Sequence, residues 1–242
     1  LLHCAPKELF FTSGGSEADN QALISAAAIG RQQGKRHIIS TAMEHHAILH
    51  TLEALEEQGF TITLLRPQKN GIVSAVQVAA ALTDETCLVS VMYANNETGA
   101  IQPIKEIGAL CRQHGVLFHT DAVQAAGHVD IDVQRDNIDM LSLSAHKFHG
   151  PKGVGLLFAK SSIQLTSLIR GGGQERGKRA GTENLPGIVG LAAAFKDAQE
   201  QMAPNTAYIT KLRDALRAGL EQIPGASFNG SREHCLPGTV NY

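Results

Sequence analysis

The sequence predicts an α/β protein, a three-layer αβα arrangement built on a mainly parallel sheet. Three observations carry this. Short apolar, β-favouring runs alternate with helix-length stretches along most of the 242 residues. Hydrophobic residues make up 43% of the chain and charged residues 18%, an ordinary globular balance with enough apolar material to bury a core. Glycines stand just past several of the helical stretches, where a chain turns back toward its next strand.

The elements follow in order. Glu8–Thr12 reads as the first strand, and Ser16–Gln33 as a helix that opens on a cap residue and closes at Gly34. Arg36–Ser40 is the second strand, followed by a helix over His46–Gln58 that ends at Gly59. Thr61–Leu65 is the third, and Ser74–Leu82 reads as a short helix. Cys87–Met92 precedes a helix over Ile104–His114 that Gly115 terminates, and Val116–Thr120, Met140–Ser144 and Gly155–Phe158 complete the strands. Strands separated by helices imply right-handed crossovers, with ligands held at the carboxyl ends of the strands. The glycine- and charge-rich stretch between Leu168 and Pro186 has no periodicity and reads as a long functional loop. Helices over Pro186–Met202, with Pro in its first turn, and Thr206–Gln222 follow, and Gly238–Tyr242 reads as the beginning of a strand. The expected division is a large domain over 1–202 and the beginning of a small C-terminal domain over 203–242. A start at Leu1 without Met and a stop inside a strand-like run lead us to expect a chain cut at both ends.

Several function classes are excluded. Twenty-one Lys and Arg against 23 Asp and Glu give a net charge of −2, without the basic footprint of a nucleic-acid binder. No apolar run approaches the ~20 residues of a membrane span. Cys4, Cys87, Cys111 and Cys235 lie far apart, with neither a disulfide framework nor zinc-ribbon spacing, so a reducing cytoplasm is the expected compartment. His146 and His149 find no carboxylate or cysteine at metal-ligand spacing, and no metal site is expected.

Three constellations carry chemistry. Thr12-Ser13-Gly14-Gly15-Ser16-Glu17-Ala18-Asp19-Asn20 runs from a strand into a helix, so that glycine backbone, the Ser16 hydroxyl and a helix start together suit a phosphate. The plainer reading is a glycine turn with Ser16 as N-cap. Asp121, followed by Gln124, stands just after a strand, where a carboxylate can hold a protonated ring nitrogen or serve merely as a turn residue. Ser144-Ala145-His146-Lys147 enters a tight Gly/Pro turn. Desolvated and near other cations, Lys147 suits a Schiff-base nucleophile; otherwise it is a solvated turn lysine.

In that order on an alternating α/β chain, these three motifs resemble the class V aminotransferase group of pyridoxal-phosphate enzymes of fold type I. Glu44-His45-His46-Ala47, Asn95-Asn96-Glu97-Thr98-Gly99 and Gly171–Gly177 running on to Arg179-Ala180-Gly181-Thr182 narrow the resemblance to cysteine desulfurases of the NifS/IscS kind. It implies the large domain of a pyridoxal-phosphate-dependent transferase. Lys147 would form the covalent link to the cofactor and Asp121 would pair with its ring nitrogen. Gln124 and Asn96 would flank the ring oxygen, and His45 would stack on the ring face, although by itself His45 reads as a surface histidine at a helix start. Gly15, Ser16, Ser144 and His146 would bind the phosphate, with Thr182 reaching it from the partner subunit of a homodimer. The implied activity converts L-cysteine to L-alanine, with sulfur passed to an enzyme cysteine as persulfide and then to an acceptor protein for iron–sulfur assembly or thiolation. Here the sequence departs from the family: none of its cysteines lies in the mobile loop that carries the nucleophile, which is expected past Tyr242 together with the arginine for the substrate carboxylate. Cys235, in a polar turn, is the one cysteine present worth testing. Selenocysteine lyase, another class V transaminase and a non-catalytic scaffold of the same fold are the competing readings. A Rossmann dehydrogenase fits least, because the turn glycines lack its spacing.

Overall fold

A computed structural model describes residues 1–242. Seven strands form one sheet: β1 (Leu9–Thr12), β2 (His37–Thr41), β3 (Thr61–Leu65), β4 (Thr86–Ser90), β5 (Leu117–Asp121), β6 (Met140–Ser144) and β7 (Gly155–Ala159). The helices are α1 (Gly15–Gln32), α2 (His46–Glu57), α3 (Ala75–Ala81), α4 (Ile104–His114), the single turn α5 (Gln174–Gly177), α6 (Leu185–Glu200) and α7 (Met202–Leu220). The seven strands expected between Glu8 and Phe158 all form within a residue or two of their predicted ends. Gly34, Gly59 and Gly115 all adopt positive φ, the conformation that lets a helix end and the chain reverse.

The strand order is β1-β7-β6-β5-β4-β2-β3. From β6 through β3 the neighbours run parallel, whereas β7 is antiparallel to both β6 and β1. The reason lies in the connection Ala145–Val154, which is shorter than the roughly a dozen residues a parallel crossover takes. That short connection contains a 3-10 turn over Ala145–Phe148 and therefore carries His146 and Lys147.

Alternation along the buried strands divides the core into two layers. Ile38, Leu88, Met140 and Leu157 pack with α1 and α2 on one face, while Ile39, Val89, Phe118 and Leu141 pack with α4 and α6 on the other. These are the three predicted layers. After the edge strand β1, α1 lies across β7, β6, β5 and β4. Its N-terminus is thereby brought to the rim where β5 and β6 end.

Three expectations need correction. Gly238–Tyr242 is not a strand, because both sheet edges are elsewhere; a backbone bond from Asn229 N–H to Asn241 (3.0 Å) and an isolated bridge between Ala100 and Cys235 tie the tail down instead. The last helix begins at Met202 rather than Thr206, since Pro204 falls in the first turn, where its missing N–H costs no helical bond. The loop after Leu168 contains one tight turn, α5, in which Glu175 (φ 44°) and Arg176 (φ 57°) are left-handed.

Candidate functional site

The carboxyl ends of β5 and β6 and the amino end of α1 enclose a cavity of about 610 Å³. Gly15, Ser16, His45, Asn96, Asp121, Gln124, Ser144, His146 and Lys147 all line it; of the predicted site residues only Thr182 does not, standing exposed in the loop before α6.

One end of the cavity suits an anion. The helix start brings unpaired N–H groups and the positive end of the α1 dipole to the wall. A Cβ on Gly15 would lie 2.7 Å from Val123 Cγ2, so the backbone there is seated as closely as glycine allows. Ser144, the last residue of β6, pairs its Oγ with His146 Nδ1 at 2.9 Å. Burial and the charges of Lys147 and Lys152 push the His146 ring below its ordinary value, so it serves as a neutral hydrogen-bonding group beside two ammonium groups. The charged loop braces this end: Glu17 accepts from the Ser13 N–H (2.8 Å) and from Arg179 Nε (2.9 Å). Arg176 lies 4.2 Å over the Phe10 ring, so neither arginine is simply solvated.

The β5 side of the wall carries a buried carboxylate. Asp121, the last residue of β5, is 6% exposed and accepts one bond, from the Val123 N–H at 2.9 Å. Burial raises its carboxyl above the ordinary range, while that N–H and the charges of His45 and Lys147 work the other way. Such a group is suited to a cationic hydrogen-bond donor entering from the cavity. Lys147 lines the same cavity, exposed and not desolvated as the sequence suggested. His45 is the N-cap of α2; its Nδ1 accepts from the Ala47 N–H at 3.1 Å, which leaves the proton of the neutral ring on Nε2. Asn96 donates to Glu97 at 2.8 Å.

Asp19, Met92 and Lys152 also line the cavity and were not singled out from the sequence. For Asp19 a signal existed: it follows Gly15 by four residues and Ser16 by three, which places it on their face of the helix. Met92 is brought in by the backbone beyond β4, and only the fold reveals it. Glu44 stands behind the wall, 6% exposed, accepting from Thr41 Oγ1 (2.7 Å) and the Met92 N–H (3.0 Å). Burial, helped by the charge of Asp121, pushes its carboxyl up to about 8.

Of the cysteines, Cys87 and Cys111 are buried core residues whose thiols burial raises to about 11 and about 12. Cys235 is half-buried and lies 3.5 Å from Arg217 Nη2, away from the cavity.

Residues 1–242 match the Aminotransferase class-V family, and the chain belongs to that family. Among curated relatives, a cysteine desulfurase IscS of Clostridium botulinum (strain Hall) is 54% identical over 244 residues, covering all of this chain and 61% of the relative. The cysteine desulfurase IscS of Methanosarcina thermophila is 50% identical over 99% of this chain and 59% of its own length. A solved NifS-like protein superposes with a TM-score of 0.95 at 39% identity, covering 99% of this chain and 66% of that one. A structure described as SspA in complex with cysteine gives 0.84 at 40% identity, covering 98% and 66%. The chain thus spans about three fifths of the length of the curated relatives it matches.

Proposed function

We propose that this chain is the cofactor-binding part of a pyridoxal-phosphate-dependent cysteine desulfurase. The observation that carries the reading is one cavity whose wall combines an anion seat, a buried carboxylate and an exposed lysine amine. A phosphorylated pyridine aldehyde has groups complementary to all three, and the Gly15 seat, which a Cβ would fill, fits its phosphate arm. When bound, pyridoxal phosphate supplies an electron sink that weakens bonds at the substrate Cα.

The chain's own residues would then act as follows. Gly15, Ser16, Ser144 and His146 hold the phosphate. Asp121 accepts a hydrogen bond from the ring nitrogen and favours its protonated form, with Gln124 and Asn96 beside the ring oxygen. Lys147 Nζ anchors the cofactor covalently and, once released, takes and returns the Cα proton. His45 covers the ring face and can donate from Nε2. Thr182, outside this cavity, completes the phosphate site of a partner subunit in a homodimer. Residues 1–202 are the large domain and 203–242 the beginning of the small one. The substrate is L-cysteine, the products alanine and a persulfide destined for an acceptor protein, and the compartment the cytoplasm. No helix is long and apolar enough to cross a membrane.

The test is an absorption spectrum of the purified chain with and without added pyridoxal phosphate, followed by borohydride reduction and peptide mapping. We expect a yellow species and a reduced adduct at Lys147, both lost in Lys147→Ala. An adduct that persists in that variant at another lysine would overturn the assignment.

A further inference from the structure

Asp19 forms part of the same cavity wall, on the second turn of α1, and none of the roles above uses it. It is 1% exposed, and its Oδ1 has no hydrogen-bond partner. The only basic group within ion-pair distance is His119, whose Nε2 is 3.7 Å away. His119 is itself fully buried in β5, with Ser90 Oγ 2.9 Å from Nδ1 and Ser142 Oγ 3.0 Å from Nε2, both neutral partners. Burial pushes its ring down to about 3, so it is no counter-ion. The other titratable groups lining the cavity are Asp121 from β5, Glu17 from α1, and His45, His146, Lys147 and Lys152, with Glu44 from the β2–α2 turn behind the wall.

Two carboxyl groups buried in one wall with one counter-charge between them do not both ionise. Their surroundings decide which one does. Asp121 has the Val123 N–H and the facing charge of Lys147 to stabilise an anion. Asp19 has only Ser142, against burial and the charge of Asp121, which together hold its carboxyl well above the usual range.

We propose that Asp19 is a positioning residue that keeps a proton in the cavity wall, making Asp121 the one carboxylate charge presented to the ring nitrogen. This role presupposes the cofactor reading above, so its test has a part that does not depend on the cofactor. In the cofactor-free chain, the Asp19 carboxyl carbon, assigned by its loss in Asp19→Asn, should show the protonated form by ¹³C NMR at pH 7. A carboxylate signal there would overturn the proposal whatever the cofactor does. The second part measures the affinity of pyridoxal phosphate and of its N-methyl analogue, whose ring charge is fixed. Asp19→Asn, which mimics the neutral acid, should leave both affinities within about threefold, whereas Asp121→Asn should weaken the N-methyl analogue about tenfold to a hundredfold, as loss of a charged partner does. Equal weakening by the two variants would mean that Asp19 carries the charge, and the proposal would fall. A protonated Asp19 with no effect of either variant would remove the ring-nitrogen reading and the positioning role together.

Discussion

Glu44→Gln isolates the cost of burying an acid behind this site. In the folded chain the carboxyl is pushed up to about 8 from an ordinary 4.5, chiefly by burial. A raised carboxyl binds its proton more tightly folded than unfolded, so its contribution to stability is greatest below 4.5 and is lost as pH rises toward about 8. At about 1.4 kcal/mol per pH unit, the whole window amounts to about 5 kcal/mol, and the part between pH 6.5 and 8 to about 2 kcal/mol. Glutamine keeps an oxygen for Thr41 and the Met92 N–H and cannot ionise, so it reproduces the protonated acid. The assay is urea unfolding of both chains at several pH values from 6.5 to 9. That range lies above the ordinary value of His37, His119, His128 and His146, whose lowered values remove stability only as pH falls below about 6.5. We expect the difference between variant and wild type to shift by about 2 kcal/mol in favour of glutamine over this range, then level off. Parallel pH profiles would refute a Glu44 that is neutral at pH 7.

Two further substitutions probe how the fold holds the site. Gly155→Ala would place a Cβ 2.5 Å from the Gly14 carbonyl carbon, a backbone contact that only a moved turn relieves; it should cost about 1–3 kcal/mol in denaturant unfolding and weaken binding of pyridoxal phosphate in a spectroscopic titration. Phe195→Ala removes a ring that is 4% exposed and stacks 5.2 Å from Phe148, next to Lys147. It should cost about 3–5 kcal/mol by the same measurement and lower the yield of borohydride-trapped adduct.

Much of this architecture is legible in the residues. Continuous apolar runs such as Ile38-Ile39 and Met140-Leu141 mark strands because a buried strand needs apolar side chains on both faces. Gly34, Gly59 and Gly115 mark helix ends because a left-handed residue is needed there. The candidate cavity was legible for a related reason: in an α/β sheet clefts open at the carboxyl ends of strands, so Gly15, Asp121 and Ser144, all in its lining, declare themselves by position. Gly238–Tyr242 misled because a strand-like composition carries no information about whether a sheet edge is free to pair with it.

What the sequence by itself determined is the order of elements and the chemical types gathered at their junctions, since propensity, capping and periodicity act over a few neighbouring residues. What only the tertiary structure decided is the state of those groups. The antiparallel β7 came from a short connection competing with a crossover. Lys147 is exposed, while Asp19 and Glu44 are buried acids facing the charge of Asp121, because dielectric and charge depend on what long-range packing brings alongside.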